Sequence, residues 1–448
     1  MSARVVTIPT TEPAINTQEH TETASEPSSQ PVTTLRQRRI AIALLLVGAV
    51  CAGIGQTVVF SVLPPLARDL GLSNFQVGSI FMISATAWVL LGPRWGKQSD
   101  ARGRKPFILT GLLGLAFSMA LFASSIQFGI AGALSGLPLY LLMIATRSLY
   151  GIIGSAGPPA AQAYIADRTS RTDRTAGIAG FTAAFGFGAM LGPGFGAITI
   201  LIGPTAPFFA VAILAAVMAL AVFAFLPERT GPKERMPYAD IRIGDKRLLP
   251  FFAFALAFSI VNAIPIQTIA FYFIDRLGYT TETAPGYVSI GLTAGAMASL
   301  FAQLVIVQRF RLTPARLMRI APALMIAGHC LIWLTSDLWP VVAGMLISGL
   351  GAGLAIPAAT SATSIAVEPH EQGAAIGLAN AFGAAGFIFS PIIGFWLYGF
   401  APQAPYYFTT VLAGLLLVYA WKSRAVAGAV PPPEDQPAET GAAPAPYR

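Results

Sequence analysis

The sequence predicts an all-α membrane protein with twelve transmembrane helices in two pseudo-symmetric six-helix bundles. Three observations carry the prediction. The chain is too apolar to be soluble, its basic residues fall on one side of the apolar runs, and its second half repeats the first. Of 448 residues, 55% are hydrophobic and 11% charged, where an average soluble domain carries about 25% charged residues. Mean hydropathy is +0.66. This composition excludes a soluble enzyme and a nucleic-acid binder, although the net charge is +8. The 34 prolines and 44 glycines suit membrane helices, which tolerate both better than soluble helices do.

The elements follow in chain order. Residues 1–39 are rich in Thr, Ser, Pro and Glu and have no apolar run near the start, so they read as a disordered cytoplasmic tail rather than a signal peptide. A helix needs about 20 apolar residues to cross the hydrocarbon, and twelve runs meet that need. Arg36, Arg38 and Arg39 precede span 1 (40–66). Span 2 (75–95) runs into Arg94, Lys97, Arg102, Arg104 and Lys105, and span 3 (106–125) returns. Span 4 (137–166) leads to Arg168, Arg171 and Arg174, followed by spans 5 (174–201) and 6 (205–226). The longest polar interruption, 227–247, divides bundle 40–226 from bundle 248–422. Spans 7 to 12 are expected at 248–275, 284–308, 315–335, 338–366, 371–398 and 404–422. A Pro- and Ala-rich stretch, 423–448, reads as a second disordered tail.

With the N-terminus inside, 23 of the 28 basic residues fall in cytoplasmic segments, while the outer loops hold only Arg68 and Arg276. Positive charge favours the cytoplasmic side. A multi-pass protein of the plasma (inner) membrane with both termini cytoplasmic is therefore expected. The loop between spans 10 and 11 departs from the pattern, with Glu368, His370 and Glu371 but no Lys or Arg.

The halves repeat at an offset of 198 residues. Gly151 meets Gly349, and Pro159-Ala160-Ala161 meets Pro357-Ala358-Ala359. Gly188, Pro193 and Gly196 meet Gly386, Pro391 and Gly394, and Pro204 and Pro207 meet Pro402 and Pro405. A second echo joins the ends of spans 1 and 7, Ala67–Ser73 and Ile274–Thr280. Each half has six spans, so both copies enter the membrane from the same side. Parallel repeats of this kind place a midplane site between two rocking bundles in transporters, although a repeat can also be a relic of duplication.

Three segments carry motifs. After span 2 comes Gly96-Lys-Gln-Ser-Asp100-Ala-Arg102-Gly103-Arg104-Lys105. It resembles the loop signature of the major facilitator superfamily, Gly-x-x-x-Asp-(Arg/Lys)-x-Gly-Arg-(Arg/Lys), with Ala101 in place of the usual basic residue. The resemblance implies a gating loop in which Asp100 braces the inner ends of the two halves; the plainer reading is a solvated, orientation-setting loop. Span 4 contains Arg147-Ser-Leu-Tyr-Gly151, similar to the superfamily's Arg-x-x-x-Gly motif. Arg147 lies about 15 Å into the run at the helical rise. A guanidinium at that depth usually faces a cavity or a partner, so coupling or solute contact stands beside a purely structural role. Its repeat mate is Met345. Span 5 carries Gly188-Ala-Met-Leu-Gly192-Pro193-Gly194-Phe-Gly196, similar to the superfamily's antiporter signature. The alternative is a packing seam of small residues, and the near-copy Gly386-x-x-x-Ser390-Pro391-x-x-Gly394 favours it.

All twenty Asp and Glu residues lie in tails, loops or span ends. A cavity with Arg147 and neutral groups suits neutral or anionic solutes better than cations. Gln56 of span 1 and Asn262 and Gln267 of span 7 are candidates to line it, or else hydrogen-bond between helices. Trp88, Trp95, Trp333 and Trp339 are expected near span edges, as interfacial anchors. His329 and Cys330 in span 9 are expected to be structural, and no metal-ligand spacing occurs. No phosphate-binding Gly-rich loop with Lys is present, which excludes ATP as the energy source.

The chain thus resembles the 12-span drug:proton antiporter group of the superfamily. That implies a monomeric secondary transporter and not an enzyme. It needs no cofactor and exports a small organic solute or drug against protons. A proton symporter or facilitator importing a sugar, organic acid or siderophore is the alternative.

Overall fold

The computed structural model describes residues 35–168, 174–227, 243–310, 312–368 and 371–429. Most of the two expected tails and of the central loop, together with Arg171, Arg311 and His370, lies outside them. Twelve helices long and apolar enough to cross a membrane are present among the described residues. In order they are α1 (Leu35–Asp69), α2 (Asn74–Arg102), α3 (Arg104–Ile130), α4 (Gly136–Arg168), α5 (Arg174–Thr199) and α6 (Ala206–Phe225). The second six are α7 (Leu249–Asp275), α8 (Ala284–Phe310), α9 (Pro314–Leu334), α10 (Leu338–Ile365), α11 (Gln372–Tyr398) and α12 (Ala404–Lys422). A short helix, α13 (Arg424–Ala427), follows. This is a multi-pass membrane protein. Below, the face where the basic segments gather is called the basic face.

Two spans are not uniform α-helices. In α4 a 3-10 turn at Gly154–Ala156 interrupts the helix next to three glycines and two prolines, Gly151, Gly154, Gly157, Pro158 and Pro159. In α8 a π-helical stretch occupies Ala302–Ile306. The segment expected as a loop after span 2 is helical instead. α2 runs on through Gly96–Arg102, and Gly103 alone separates it from α3. Lys97, Gln98 and Arg102 are good helix formers, so the helix outlasts the apolar run. Gly103 has φ +96°, a left-handed conformation open to glycine.

Packing within the halves is duplicated. In the first six helices, α1 packs on α5 and α6, α2 on α4, and α3 on α4 and α6. In the second, α7 packs on α11 and α12, α8 on α10, and α9 on α10 and α12. The repeat residues make these contacts in matching ways. A Cβ on Gly151 would collide with the carbonyl oxygen of Ser84 in α2, and one on Gly349 with that of Gly295 in α8. A Cβ on Gly188 would strike Val50 of α1, and one on Gly386 would strike Ser259 of α7. Without a hydrophobic drive between helices in lipid, close backbone approach of this kind carries much of the packing.

The halves meet chiefly along two pairs, α2 with α11 and α5 with α8, which are each other's repeat mates, and α1 adds smaller contacts to α7 and α8. Phe271, Phe395 and Tyr398 of the second half join the apolar core of the first. They lie at the ends of α7 and α11 remote from the basic face, so among the described residues the buried core shared by the halves is at that end, with Ile266 packed beside it.

Candidate functional site

A cavity of about 520 Å³ lies between the halves. Helices α1, α2, α4 and α5 line it from one side and α7, α10 and α11 from the other. On α7 the lining residues run from Ala255 to Gln267, on α10 from Ala352 to Thr360, and on α11 from Ala379 to Phe387. Those stretches belong to the middle and basic-face parts of their helices. Along the second half the cavity therefore reaches from the midplane toward the basic face, while on the first half its lining sits around the midplane, from Phe60 and Phe81 to Val89.

All four cavity candidates read from the sequence, Gln56, Arg147, Asn262 and Gln267, line this one space. Arg147 is 2% exposed. Its guanidinium sits over the Tyr150 ring, 4.7 Å from the centroid, a cation–π contact strengthened by desolvation. Nε and one Nη have no hydrogen-bond partner among the described residues. Gln267 is equally buried, and its Oε1 is also unpartnered. Among the described residues that line the cavity, Arg147 is the one charged residue, and no carboxylate is with it. Its repeat mate Met345 packs against Gly291 and Gly295 of α8, so a cation is not demanded by the fold at this position.

The wall also contains residues the sequence reading missed. Asn380 is exposed to the cavity, and Thr57, Ser259 and Thr360 add hydroxyls. Asn380 gave the same signal as Asn262, an amide inside an apolar run. Trp88 corrects an expectation. It sits midway along α2, lines the cavity, and packs on Tyr150 at 5.0 Å between ring centroids. Trp95 donates from Nε1 to the carbonyl of Ile152 at 2.7 Å, which ties α2 to α4. His329 is fully buried and neither ring nitrogen finds a partner among the described residues.

The residues named for a gate meet at the basic face. Arg104, at the start of α3, is ion-paired with Asp100 of α2. It also donates to Ser99 Oγ at 2.8 Å and to Asp167 of α4 at 3.4 Å. Lys105 donates to the Phe223 carbonyl at the end of α6 at 2.9 Å. Gly96 lies beside Pro159 of α4, and Arg102 is exposed at the end of α2. These contacts bind α2, α3, α4 and α6 of one half together. The second half has its own tie, where Arg247 donates to Glu371 at 3.0 and 3.1 Å. Arg247 also donates to Asp245, which holds that carboxyl below its ordinary range.

The span 5 motif forms a seam. Gly188, Gly192 and Gly196 face α1, where Val50, Thr57 and Val58 leave no room for a Cβ. Thr57 Oγ1 donates to the Ala189 carbonyl at 2.9 Å, and the helix runs unbroken through Pro193.

At the opposite face the halves are joined directly. Arg68, near the end of α1, donates to both oxygens of Asp275, the last residue of α7, at 2.5 and 3.0 Å. Tyr398 at the end of α11 donates to the same carboxylate at 2.8 Å. Arg68 also lies 5.0 Å from the Phe271 ring centroid.

Two six-helix bundles with matched packing around a shared central cavity define a known architecture. The model of the Major Facilitator Superfamily matches residues 45–327 and 307–447. The chain belongs to this superfamily. Multidrug resistance protein 1 of Bacillus subtilis (strain 168) is 27% identical over 401 residues, spanning 87% of this chain and 98% of that one. The class G tetracycline resistance protein of Vibrio anguillarum is 29% identical over 384 residues, covering 79% and 91%. Among solved structures, a bacterial homolog to the human lysosomal transporter Spinster, inward-facing and unoccupied, has a TM-score of 0.67 at 15% identity. It covers 89% of this chain and 100% of its own, and the likeness is one of fold. As a member of the superfamily, the chain is a secondary transporter and not an enzyme, and it takes a small-molecule substrate.

Proposed function

We propose that this protein exports a small organic solute or drug from the cell by alternating access, in exchange for protons. The observation that carries the reading is the cavity's position: between the halves, extending toward the basic face along α7, α10 and α11, and backed on the remote side by the shared core of Phe271, Phe395 and Tyr398. With the basic face in the cytoplasm, as the charge distribution favours, this is a carrier ready to load from inside. The multidrug and tetracycline resistance proteins that align with 87% and 79% of the chain support the outward direction, since resistance follows when a drug is removed from the cell. In this reading residues 40–226 rock against 248–422. The Arg68–Asp275 clamp must open when solute leaves. Asp100, now held by Arg104, serves the closed state of the basic face, and the α1–α5 glycine seam lets the first half move as one body.

One observation keeps a second reading in play. The cavity wall contains no carboxylate, whereas a proton-coupled carrier is expected to hold a titratable group there. A facilitator importing a sugar, organic acid or siderophore fits that wall without such a group, and a proton symporter of the same solutes differs from the antiporter only in direction. Proteoliposomes with an imposed pH gradient separate the two. Antiport predicts that solute moves against the proton flow. Solute moving with the protons, or indifferent to the gradient, would reject it.

A further inference from the structure

We infer that the solute this cavity takes is an amphipathic organic anion, anchored through its anionic group by Arg147. The inference rests on the transporter reading and adds the substrate's charge. Charge is the first argument. Arg147 is the one charged residue on the wall and is 2% exposed. A buried cation is costly unless it is paired and hydrogen-bonded, and Arg147 has neither an acid partner nor partners for Nε and one Nη among the described residues. An oxyanion of the solute supplies both at once. A cationic solute would instead meet a like charge in a site of low dielectric, with no carboxylate on the wall to offset it.

Geometry is the second argument. The Tyr150 ring covers one face of the guanidinium. The N–H donors of a guanidinium lie in its plane, so stacking leaves them uncommitted; Nε and the unpartnered Nη are themselves buried, and a turn of the side chain toward the cavity presents them to a carboxylate, sulfonate or phosphate. The rest of the wall sets the solute's body. Phe60, Phe81, Trp88, Phe185, Phe258 and Phe387 surround the space. A volume of about 520 Å³ falls within the range of sites for drug-sized ligands. Asn262, Asn380 and the buried, unpartnered Oε1 of Gln267 offer hydrogen bonds away from the anionic end.

Three naphthalene probes of one shape and fixed charge test the inference. They are naphthalene-2-sulfonate, naphthalene-2-sulfonamide and 2-naphthyltrimethylammonium, titrated onto the full-length protein in nanodiscs. The sulfonate is expected to bind at least about tenfold more tightly than the other two, a margin equal to about 1.4 kcal/mol. Arg147→Met is expected to erase that margin, and Arg147→Lys to keep part of it. Preference for the trimethylammonium probe, equal binding of all three, or a preference that survives in Arg147→Met overturns the inference. The selectivity of the unaltered protein decides the matter even if Arg147→Met fails to fold. Everted vesicles separate this inference from the export reading. If the sulfonate binds selectively but is not taken up by energised vesicles, the export reading fails and the anion site stands. If the trimethylammonium probe accumulates and the sulfonate does not, export stands and the anion site fails.

Discussion

The two faces of the molecule are held together in different ways. At the face remote from the basic segments, Arg68 of the first half clasps Asp275 of the second, Tyr398 donates to the same carboxylate, and Phe271 and Phe395 sit in a shared core. At the basic face the described residues pair locally: Arg104 with Asp100 and Asp167 in the first half, and Arg247, at the entry to the second half, with Asp245 and Glu371. The first arrangement fixes the halves to one another. The second ties neighbouring helices of one half together. The difference places the cavity's mouth, and it says which contacts must break for the cavity to turn around.

The clamp also shows how a repeat builds a contact across its own axis. The echoing segments read Ala67-Arg-Asp-Leu-Gly and Ile274-Asp-Arg-Leu-Gly. Arg68 and Asp275 hold equivalent positions of the echo with opposite charges, which is what lets the two segments pair. The two turns match in backbone as well, with Gly71 at φ +75° and Gly278 at φ +76°.

The largest expected effect comes from inverting the clamp. Asp275→Arg sets two guanidiniums face to face and leaves Tyr398 without its acceptor. Charged hydrogen bonds of this type contribute about 1.5–3 kcal/mol each, so transport should fall about tenfold or more. The double variant Arg68→Asp with Asp275→Arg should recover most of it, measured as uptake in everted vesicles. Failure of the double variant while both singles fold would break the comparison. Next in size is a wedge. A Cβ on Gly78 of α2 would already overlap the Phe395 ring of α11. Gly78→Leu should therefore hold the remote face open and raise reagent access there several-fold, since overpacking costs about 1–3 kcal/mol.

Asp100→Asn should lower turnover severalfold while the protein stays in the membrane, because Arg104 loses one of its carboxylates and the closed basic face loses its acid. Unchanged transport, assayed beside an immunoblot of the membrane fraction, would reject the gate role. The smallest effect is expected from Arg247→Gln. Its ion pair is half-exposed and lies within one half, and such pairs are worth about 0–1 kcal/mol. Transport should be unchanged within about twofold, and a large loss would show that the second half's tie also serves the gate.

Much of the fold was legible because its signals are local. Each span announces itself by an apolar run, and its neighbours by charge. The repeat partners Gly188 and Gly386 turned out to make equivalent contacts. The cavity was legible in part, since Gln56, Arg147, Asn262 and Gln267 are polar groups stranded in apolar runs. Asn380 sends the same signal and could have been found. Trp88 was legible as well, since it stands near the middle of the run 75–95 rather than at the edge where an interfacial anchor belongs. The Arg68–Asp275 clamp joins residues far apart in the chain. The echo marks both positions, but only the packing of α1 against α7 brings them together.

The central claim is that the cavity opens to the basic face and is sealed at the other. Asn380→Cys, in a chain with Cys51 and Cys330 replaced by Ala, puts a thiol on the exposed cavity wall. A membrane-impermeant maleimide is applied to everted and to right-side-out vesicles without solute, and the labelling rates are compared. The rate should be at least about tenfold higher in everted vesicles, and Asp275→Arg should abolish the difference. Faster labelling in right-side-out vesicles would contradict the account.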